Sequence, residues 1–307
     1  MKRIAQVAFT TALLLVVTAH LAFGQEDPRS YPVGNPVGVP ASPSADQPFE
    51  PASSNVTVYG AIYSAESCTY DAERDVIVVP NRGAPQRVRT NDAWISFINH
   101  DGSVRTPRWI GVQSPPERAD LNPPLMLNEP LGSDIADGTL YLADRDGSTG
   151  EDDPSVAVIR MFDLRTGMPT GAIRLEESPW INDIEVADNG TIYVTQTGDL
   201  GENPNPATWR IWEVAPDGTT EVFAQGSPLR QPNGIGFDPQ GNIVVVNYGN
   251  AEVLTFSRDG ELLTTETAAQ PGGDGLVIMP DGTKYTSSVA EGGISRIRPD
   301  GSTELIA

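Results

Sequence analysis

The sequence of 307 residues is poor in cysteine, histidine and lysine, and each shortage excludes a class of protein. Cys68 is the only cysteine, which excludes a disulfide framework and a cysteine-rich zinc or iron–sulfur site. The two histidines, His20 and His100, are too few for a histidine-rich zinc site. We expect Cys68 to be buried as a small apolar residue and His100 to lie in a solvated hairpin turn, which argues against a Ser-His-Asp hydrolase.

Positive charge is also scarce, because 20 Lys and Arg residues face 41 Asp and Glu residues. The formal net charge of −21 would repel phosphate backbones, so we expect no nucleic-acid partner. A hydrophobic content of 38% is enough for a packed core in a chain of this length.

The N-terminus has the pattern of a secretory signal peptide. Lys2 and Arg3 precede an apolar stretch that ends at Ala22-Phe23-Gly24. We predict a signal peptide over residues 1–24, with cleavage near Gln25 and a periplasmic or extracellular location. The threonines and His20 within this stretch make an uncleaved membrane anchor a poor alternative. After cleavage we expect no membrane association.

Residues 25–54 are rich in Pro and Ser and predict a flexible leader, so residues 55–307 form the predicted folded domain. From Val56 onward, short alternating runs are separated by turns of the Asp-Gly or Asn-Gly type, which indicates a nearly all-β chain. One strand–turn–strand motif recurs with reference positions at Val76, Leu140, Ile192, Ile243 and Lys284.

A second hairpin follows this motif in most units, as in the sequence Leu254 to Gly260. Four strands repeated at roughly 40–50 residues are typical of a β-propeller. We therefore predict an all-β propeller of the six-bladed type with about five complete blades, present as a monomer. The Pro-rich stretch Gln113 to Asn128 is interpreted as a loop over the site.

The repeat alignment identifies one polar station on the inner strand of each blade. Ten residues before the reference positions stand Glu66, Asn182, Asn233 and Asp274, while the shorter second unit places Leu131 or Gly132 there. Inner strands line the channel, so these oxygens should converge into a site that suits Ca²⁺. Without a cation, Glu66 and Asp274 would repel each other. The alternative interpretation is that Pro232-Asn233-Gly234 is only a turn.

These residues resemble the SMP-30/gluconolactonase/LRE family, most clearly at Asn182-Asp183, Pro232-Asn233-Gly234 and Asp274-Gly275. The resemblance covers about Glu66 to Ala307. It implies a six-bladed propeller that hydrolyses lactones or related esters with one divalent cation, usually Ca²⁺, with Zn²⁺, Mn²⁺ and Mg²⁺ as alternatives. It also implies that Glu66, Asn233 and Asp274 are the metal ligands, and that Asp274 and Asn182 are catalytic.

Two departures from the family pattern bear on function. Trp180 stands where sugar-lactone enzymes of the family carry an arginine, so Trp180 and Asn182 are predicted to bind a less polar small-molecule substrate. Only five inner-strand motifs are found. A non-enzymatic NHL-like propeller that binds ligands or proteins is the alternative function, whereas strictosidine-synthase-like chemistry would require a catalytic Glu that no position here matches.

The acidic run from Asp144 to Asp153 has two interpretations. We expect a solvated hairpin insertion there rather than a second Ca²⁺ site.

Overall fold

The computed structural model describes Ile62 and residues 64–83, 91–147 and 153–307. This part of the chain forms five four-stranded antiparallel sheets, each made of consecutive strands. The sheets are the blades of an all-β propeller, as the repeat predicts. The predicted signal peptide and leader lie outside the described residues. Within the described segments, no helix has the length and apolar character needed to cross a bilayer.

The strands are numbered in chain order, four to a blade. Blade 1 contains β1 (Thr69–Asp71), β2 (Val76–Asn81), β3 (Trp94–Ile98) and β4 (Val104–Ile110). Blade 2 contains β5 (Ser133–Ala136), β6 (Thr139–Asp146), β7 (Val156–Asp163) and β8 (Pro169–Leu175). Blade 3 contains β9 (Ile184–Val186), β10 (Ile192–Gln196), β11 (Arg210–Val214) and β12 (Thr220–Gln225). Blade 4 contains β13 (Pro232–Phe237), β14 (Ile243–Asn247), β15 (Glu252–Phe256) and β16 (Leu262–Thr267). Blade 5 contains β17 (Gly273–Ile278), β18 (Lys284–Ser288), β19 (Ile294–Ile297) and β20 (Thr303–Leu305). Two short helices complete the described structure, α1 (Pro115–Ala119) and a 3-10 turn (Pro206–Thr208).

The turns predicted from the repeat lie between the first two strands of each blade. In blade 4, the Asp238 carboxylate accepts hydrogen bonds from the backbone N–H groups of Gln240 (2.9 Å) and Asn242 (2.8 Å). Gly241 has φ +81°, a left-handed conformation that glycine adopts without the steric cost of a side chain. The Asp-x-x-Gly spacing therefore sets both the turn and the register of the strands that follow it.

The hydrophobic core lies between the blades, because alternate residues of each strand face opposite neighbours. Val245 and Leu254 pack toward blade 3, whereas Val244 and Val246 pack with Leu276 of blade 5. Full burial of such a side chain stabilises the fold by about 1.5–3 kcal/mol. Blade 4 therefore depends on both of its neighbours.

Polar groups also join the inner strands of neighbouring blades. Asp134 of blade 2 accepts from the backbone N–H of Val186 (2.9 Å), and Asp183 of blade 3 accepts from that of Ile235 (3.0 Å). The blades approach so closely that a Cβ on Gly234 would lie 2.4 Å from the carbonyl oxygen of Asp274. Glycine is therefore required at this position for contact between blades 4 and 5.

The inner strands β1, β5, β9, β13 and β17 contact one another in that order, but no contact of comparable extent joins β17 to β1 among the described strands. On the face of blade 5 turned away from blade 4, Val277 is 54% exposed. The structure therefore shows five blades, and the expected six-bladed ring is not found in the described residues.

The segment from Gln113 to Asn128 does not cover the channel, contrary to the sequence-based interpretation. Leu125 and Leu127 are buried in the core between blades 1 and 2. The buried Arg118 of α1 donates hydrogen bonds to the carbonyl oxygens of Asn91 (2.6 Å) and Gly111 (2.8 Å). Apolar side chains and a capped helix hold this segment to the blades, and none of its residues lines the channel cavity.

Candidate active site in the propeller channel

A cavity of about 620 Å³ opens at one end of the channel. All of the site residues predicted from the sequence line it: Glu66, Trp180, Asn182, Asn233 and Asp274. Leu131 lines the same cavity at the corresponding station of blade 2. The repeat alignment thus brings together side chains that are more than 200 residues apart in sequence, roughly the span expected for inner strands of a propeller.

Strand ends hold the two buried amides in place. Asn233 is the second residue of β13, and Asn182 lies two residues before β9. The Asn182 backbone N–H donates to the carbonyl of Thr195 (2.7 Å), and its side-chain Nδ2 donates to Thr197 Oγ1 (3.1 Å). The side-chain oxygen of Asn182 accepts no hydrogen bond from the described residues, so it can contact a ligand in the cavity.

Asp274 and Glu66 lie on the two blades that border the open side of the ring. Asn233 Nδ2 donates a hydrogen bond to Asp274 Oδ1 (2.7 Å). Desolvation raises the pKa of Asp274, and this hydrogen bond opposes the rise. Desolvation, followed by repulsion from Asp274, raises the pKa of Glu66 to about 8. The Arg82 guanidinium acts in the opposite direction on the pKa of both carboxyl groups.

The donor set fits a hard divalent cation. Two carboxylates that repel each other become compatible when a cation lies between them, and amide oxygens are accepted ligands of Ca²⁺. Rotation of the Asn233 amide by 180° would turn its oxygen toward the same point. No trio of His, Cys, Asp and Glu gathers as a metal cluster within the described segments, so the candidate set consists of two carboxylates and an amide.

A second ring of residues lines the cavity at another repeat station, which the sequence-based interpretation did not identify. These residues follow directly after a buried polar residue that lies at or near the end of the second strand in each blade. The ring consists of Arg82, Arg145, Thr197, Tyr248 and Val289. The same repeat alignment contains the signal, because four of these residues lie at one fixed distance after Leu140, Ile192, Ile243 and Lys284.

The two arginines of the second ring share one buried carboxylate. Arg82 Nη2 donates to Glu129 Oε1 (2.7 Å), and Arg145 Nε donates to Glu129 Oε2 (2.7 Å). The Glu129 side chain is only 2% exposed. Three charged groups from outside the predicted site therefore lie beside it.

Three further acids, each partly buried, lie between neighbouring blades. Burial raises the pKa of Asp183 to about 7, and it also raises the pKa values of Asp134 and Glu185. Backbone N–H groups of the next blade oppose these shifts, from Val186 to Asp134 and from Ile235 to Asp183. These acids act as inter-blade hydrogen-bond acceptors rather than as part of the cavity wall.

Outcomes for the remaining predictions are mixed. Cys68 is exposed, so the expected burial of this residue is wrong. His100 is exposed in its turn beside Asp75, as predicted. Asp144 is fully buried and accepts hydrogen bonds from the backbone of Glu129 (2.6 Å) and from Arg160 Nε (3.0 Å), so it is not part of a solvated insertion. Residues 148–152 of the predicted insertion, which include Glu151 and Asp152, lie outside the described residues.

The chain belongs to the SMP-30/gluconolactonase/LRE-like family, whose model matches residues 125–306. A gluconolactonase from Xanthomonas campestris is similar in structure, with 20% identity, a TM-score of 0.52 and coverage of 80% of this chain and 75% of that chain. A virginiamycin B lyase from Staphylococcus aureus has 15% identity and a TM-score of 0.50, with coverage of 79% and 69%. A structure of a nidogen/laminin complex has 14% identity and a TM-score of 0.57, with coverage of 84% and 87%. No curated protein sequence matches the chain significantly.

The family match and the similar structures agree on a β-propeller fold. Each structural similarity lies at 20% identity or below, so it describes the fold alone. Because one similar structure comes from a nidogen/laminin complex, the fold by itself does not separate a hydrolase from a binding propeller. The chemistry of the cavity has to decide between them.

Proposed function

We propose that the protein is an exported, metal-dependent hydrolase that opens lactones or related esters in the channel cavity. The observation that carries this proposal is the convergence of Glu66, Asn182, Asn233 and Asp274 from four separate blades on one cavity. A binding module would not require two carboxylates and two buried amides at one repeat station. Family membership supports the same reaction class.

Glu66, Asn233 and Asp274 would hold one divalent cation, for which Ca²⁺ suits the all-oxygen donor set best. When bound, the cation polarises the substrate carbonyl and makes water more acidic. The choice among Ca²⁺, Zn²⁺, Mn²⁺ and Mg²⁺ depends on coordination number and cavity size.

Asp274 is the proposed general base. Its carboxylate lies in the cavity wall, where the hydrogen bond from Asn233 Nδ2 to Oδ1 (2.7 Å) orients it. Water attacks the carbonyl carbon while Asp274 takes the proton of that water. The ring C–O bond then breaks, and the proton passes to the departing alkoxide oxygen to give a hydroxy acid. Asn182 orients the substrate through its side-chain amide, and Trp180 provides an apolar wall.

The test is hydrolysis of a panel of γ- and δ-lactones by Asp274→Ala in the presence of Ca²⁺. We expect a loss of activity of about 100-fold or more, in the range of a general base. Asp188→Ala is the matched control, because Asp188 lies exposed in the turn between β9 and β10. If Asp274→Ala hydrolyses the panel as well as the wild type, the proposed role of Asp274 is wrong.

The non-enzymatic alternative makes a different prediction in the same experiment. A ligand- or protein-binding propeller would hydrolyse none of the lactones, and Ca²⁺ would not raise its melting temperature. Turnover that depends on both Ca²⁺ and Asp274 excludes this alternative.

Export is the second part of the proposal and rests on the N-terminal sequence alone. The intact mass of the protein recovered from the periplasm or medium should correspond to a chain that begins near Gln25. Recovery of the full-length chain from the cytoplasm alone would contradict export.

A further inference from the structure

The positive charge on the cavity wall is concentrated on one side. In the second ring, blades 1 and 2 carry Arg82 and Arg145, whereas blades 3, 4 and 5 carry Thr197, Tyr248 and Val289. Apart from Asn182, Asn233 and Asp274, the opposite wall is largely apolar, because Trp180 and the exposed Leu200 also line it. The cavity therefore has a cationic side and an apolar side next to the candidate metal ligands.

Glu129 fixes both guanidinium groups but does not neutralise both. One carboxylate faces two arginines, so these three side chains together carry a net charge of +1, and Arg82 also faces the carboxyl groups of Glu66 and Asp274. Each guanidinium presents five N–H donors. Arg82 pairs through Nη2 (2.7 Å), and Arg145 pairs through Nε (2.7 Å) and Nη2 (2.5 Å), so Nη1 of each arginine has no acceptor among the described residues.

Burial makes these remaining donors significant. The side chains of Arg82 and Arg145 are only 18% and 19% exposed. Arg82 Nε is buried without a hydrogen-bond partner in the described part of the chain. A buried donor without a partner has lost its hydration without compensation, so a ligand that supplies an acceptor binds more tightly.

We propose that Arg82 and Arg145 form an anion-binding subsite, so that the preferred substrate carries a carboxylate or phosphate group on an apolar body. The planar guanidinium fork matches both of these oxyanions. The anionic group would face blades 1 and 2, with the body against Trp180 and Val289. The identity of the ligand as a substrate rests on the proposed function, whereas the anion-binding subsite does not.

The first test measures binding without turnover. Phenylacetate and phenyl phosphate are compared with neutral phenylacetamide through the fluorescence change of Trp180, with Trp180→Phe identifying the signal. Binding is measured in EDTA and in Ca²⁺, because Glu66 and Asp274 repel the anion when no cation lies between them, and the Arg145 variants separate binding by the arginine from binding by a cation. We expect both anions, or one of them, to bind at least tenfold more tightly than the amide, which is the scale of a charge-assisted hydrogen bond.

Arg145→Gln should reduce anion binding at least tenfold and leave amide binding unchanged. Arg145→Lys keeps the charge and the pairing with Glu129 but loses the fork, so it folds and shows an intermediate loss. Arg298→Gln is the matched control, because Arg298 is a surface arginine of blade 5. Equal affinities for the anions and the amide, or unchanged anion binding in Arg145→Gln, would overturn the proposal.

The second test connects the subsite to catalysis. A lactone with a free carboxylate is compared with its methyl ester, and the ratio of their kcat/KM values is measured in wild type and Arg145→Gln. We expect the ratio to fall at least tenfold in the variant, mainly through KM. If no lactone is hydrolysed but the anions still bind through Arg145, the proposed function fails and the anion subsite stands.

A phosphate-bearing ester compared with its carboxylate analogue shows which of the two anions the subsite prefers. Tighter binding of phenyl phosphate than of phenylacetate assigns a phosphorylated ligand, and the reverse assigns a carboxylic acid.

A ratio of kcat/KM between the lactone carboxylate and its methyl ester that stays unchanged in Arg145→Gln would show that the two arginines only join blades 1 and 2.

Discussion

Replacement of Glu66 by Gln should have opposite effects on stability with and without Ca²⁺. Burial and repulsion from Asp274 raise the pKa of Glu66 from 4.5 to about 8. In the metal-free protein the ionised carboxylate therefore destabilises the folded state, and a neutral amide of the same shape removes this destabilisation. In the presence of Ca²⁺ the same carboxylate becomes a ligand, and its loss weakens the site.

The size of each effect follows from the structure. A pKa rise of that extent corresponds to about 5 kcal/mol, as an upper bound because part of the Glu66 side chain reaches solvent. This destabilisation is absent below pH 4.5. It grows between pH 4.5 and pH 8, because Glu66 is already ionised in the unfolded chain but still protonated in the folded one, and it is complete above pH 8. Ca²⁺ at about 100 times its Kd stabilises the folded state by about 2.7 kcal/mol, which raises Tm by roughly 5–10 °C.

The assay is thermal unfolding at pH 5 and pH 8.5, in EDTA and in Ca²⁺. At pH 8.5, Glu66→Gln should melt above the wild type in EDTA and below it in Ca²⁺, while in EDTA at pH 5 the two should be nearly equal. Glu221→Gln, on the exposed outer strand β12, is the matched control. If Glu66→Gln lowers Tm equally in EDTA and Ca²⁺, Glu66 has only a structural role and the reasoning is refuted.

Three further changes test the packing and the cavity. Asp183→Ala leaves the Ile235 N–H unsatisfied and should lower the free energy of unfolding in urea by about 1–3 kcal/mol at pH 5. The loss should be smaller at pH 8.5. The pKa of Asp183 is raised to about 7, so the wild type itself loses stability as the pH rises through this value. Gly234→Ala places a Cβ against the Asp274 carbonyl, so it should destabilise the fold by about 1–3 kcal/mol or more and weaken Ca²⁺ binding. An unchanged affinity in calcium titrations would contradict this prediction. Trp180→Ala should raise KM for aromatic lactones several-fold without changing the Ca²⁺-dependent rise in Tm, and an equal KM would exclude Trp180 as a substrate wall.

The inner-strand station could be predicted from sequence because the turns repeat. Asp-Gly and Asn-Gly spacing determines where each blade begins, and counting back from Ile243 or Lys284 reaches Asn233 or Asp274 without knowledge of any contact. The number of blades among the described residues follows from the same regular spacing of the turns.

The residues that were missed lack this regularity. The second ring carries Arg, Thr, Tyr and Val at equivalent positions, so only its place repeats and not its chemistry. Glu129 lies outside the strands, and its role depends on two arginines from different blades. Proline content misled the interpretation of the stretch from Gln113 to Asn128, because composition does not show that Leu125 and Leu127 enter the core.

Blade 5 is followed by no further blade among the described residues, and this makes the tolerance to mutation uneven between repeats. Gly275 of blade 5 corresponds to Gly234 of blade 4, yet a Cβ on Gly275 would meet only Ser287 Oγ, at 3.4 Å. The same substitution is thus severe in one blade and mild in the next, although the local sequence is nearly the same. In a saturation mutagenesis library, the tolerance of each position to substitution would depend on which blade its side chain faces. A substitution profile averaged over the five repeats would therefore mispredict which substitutions blade 5 tolerates.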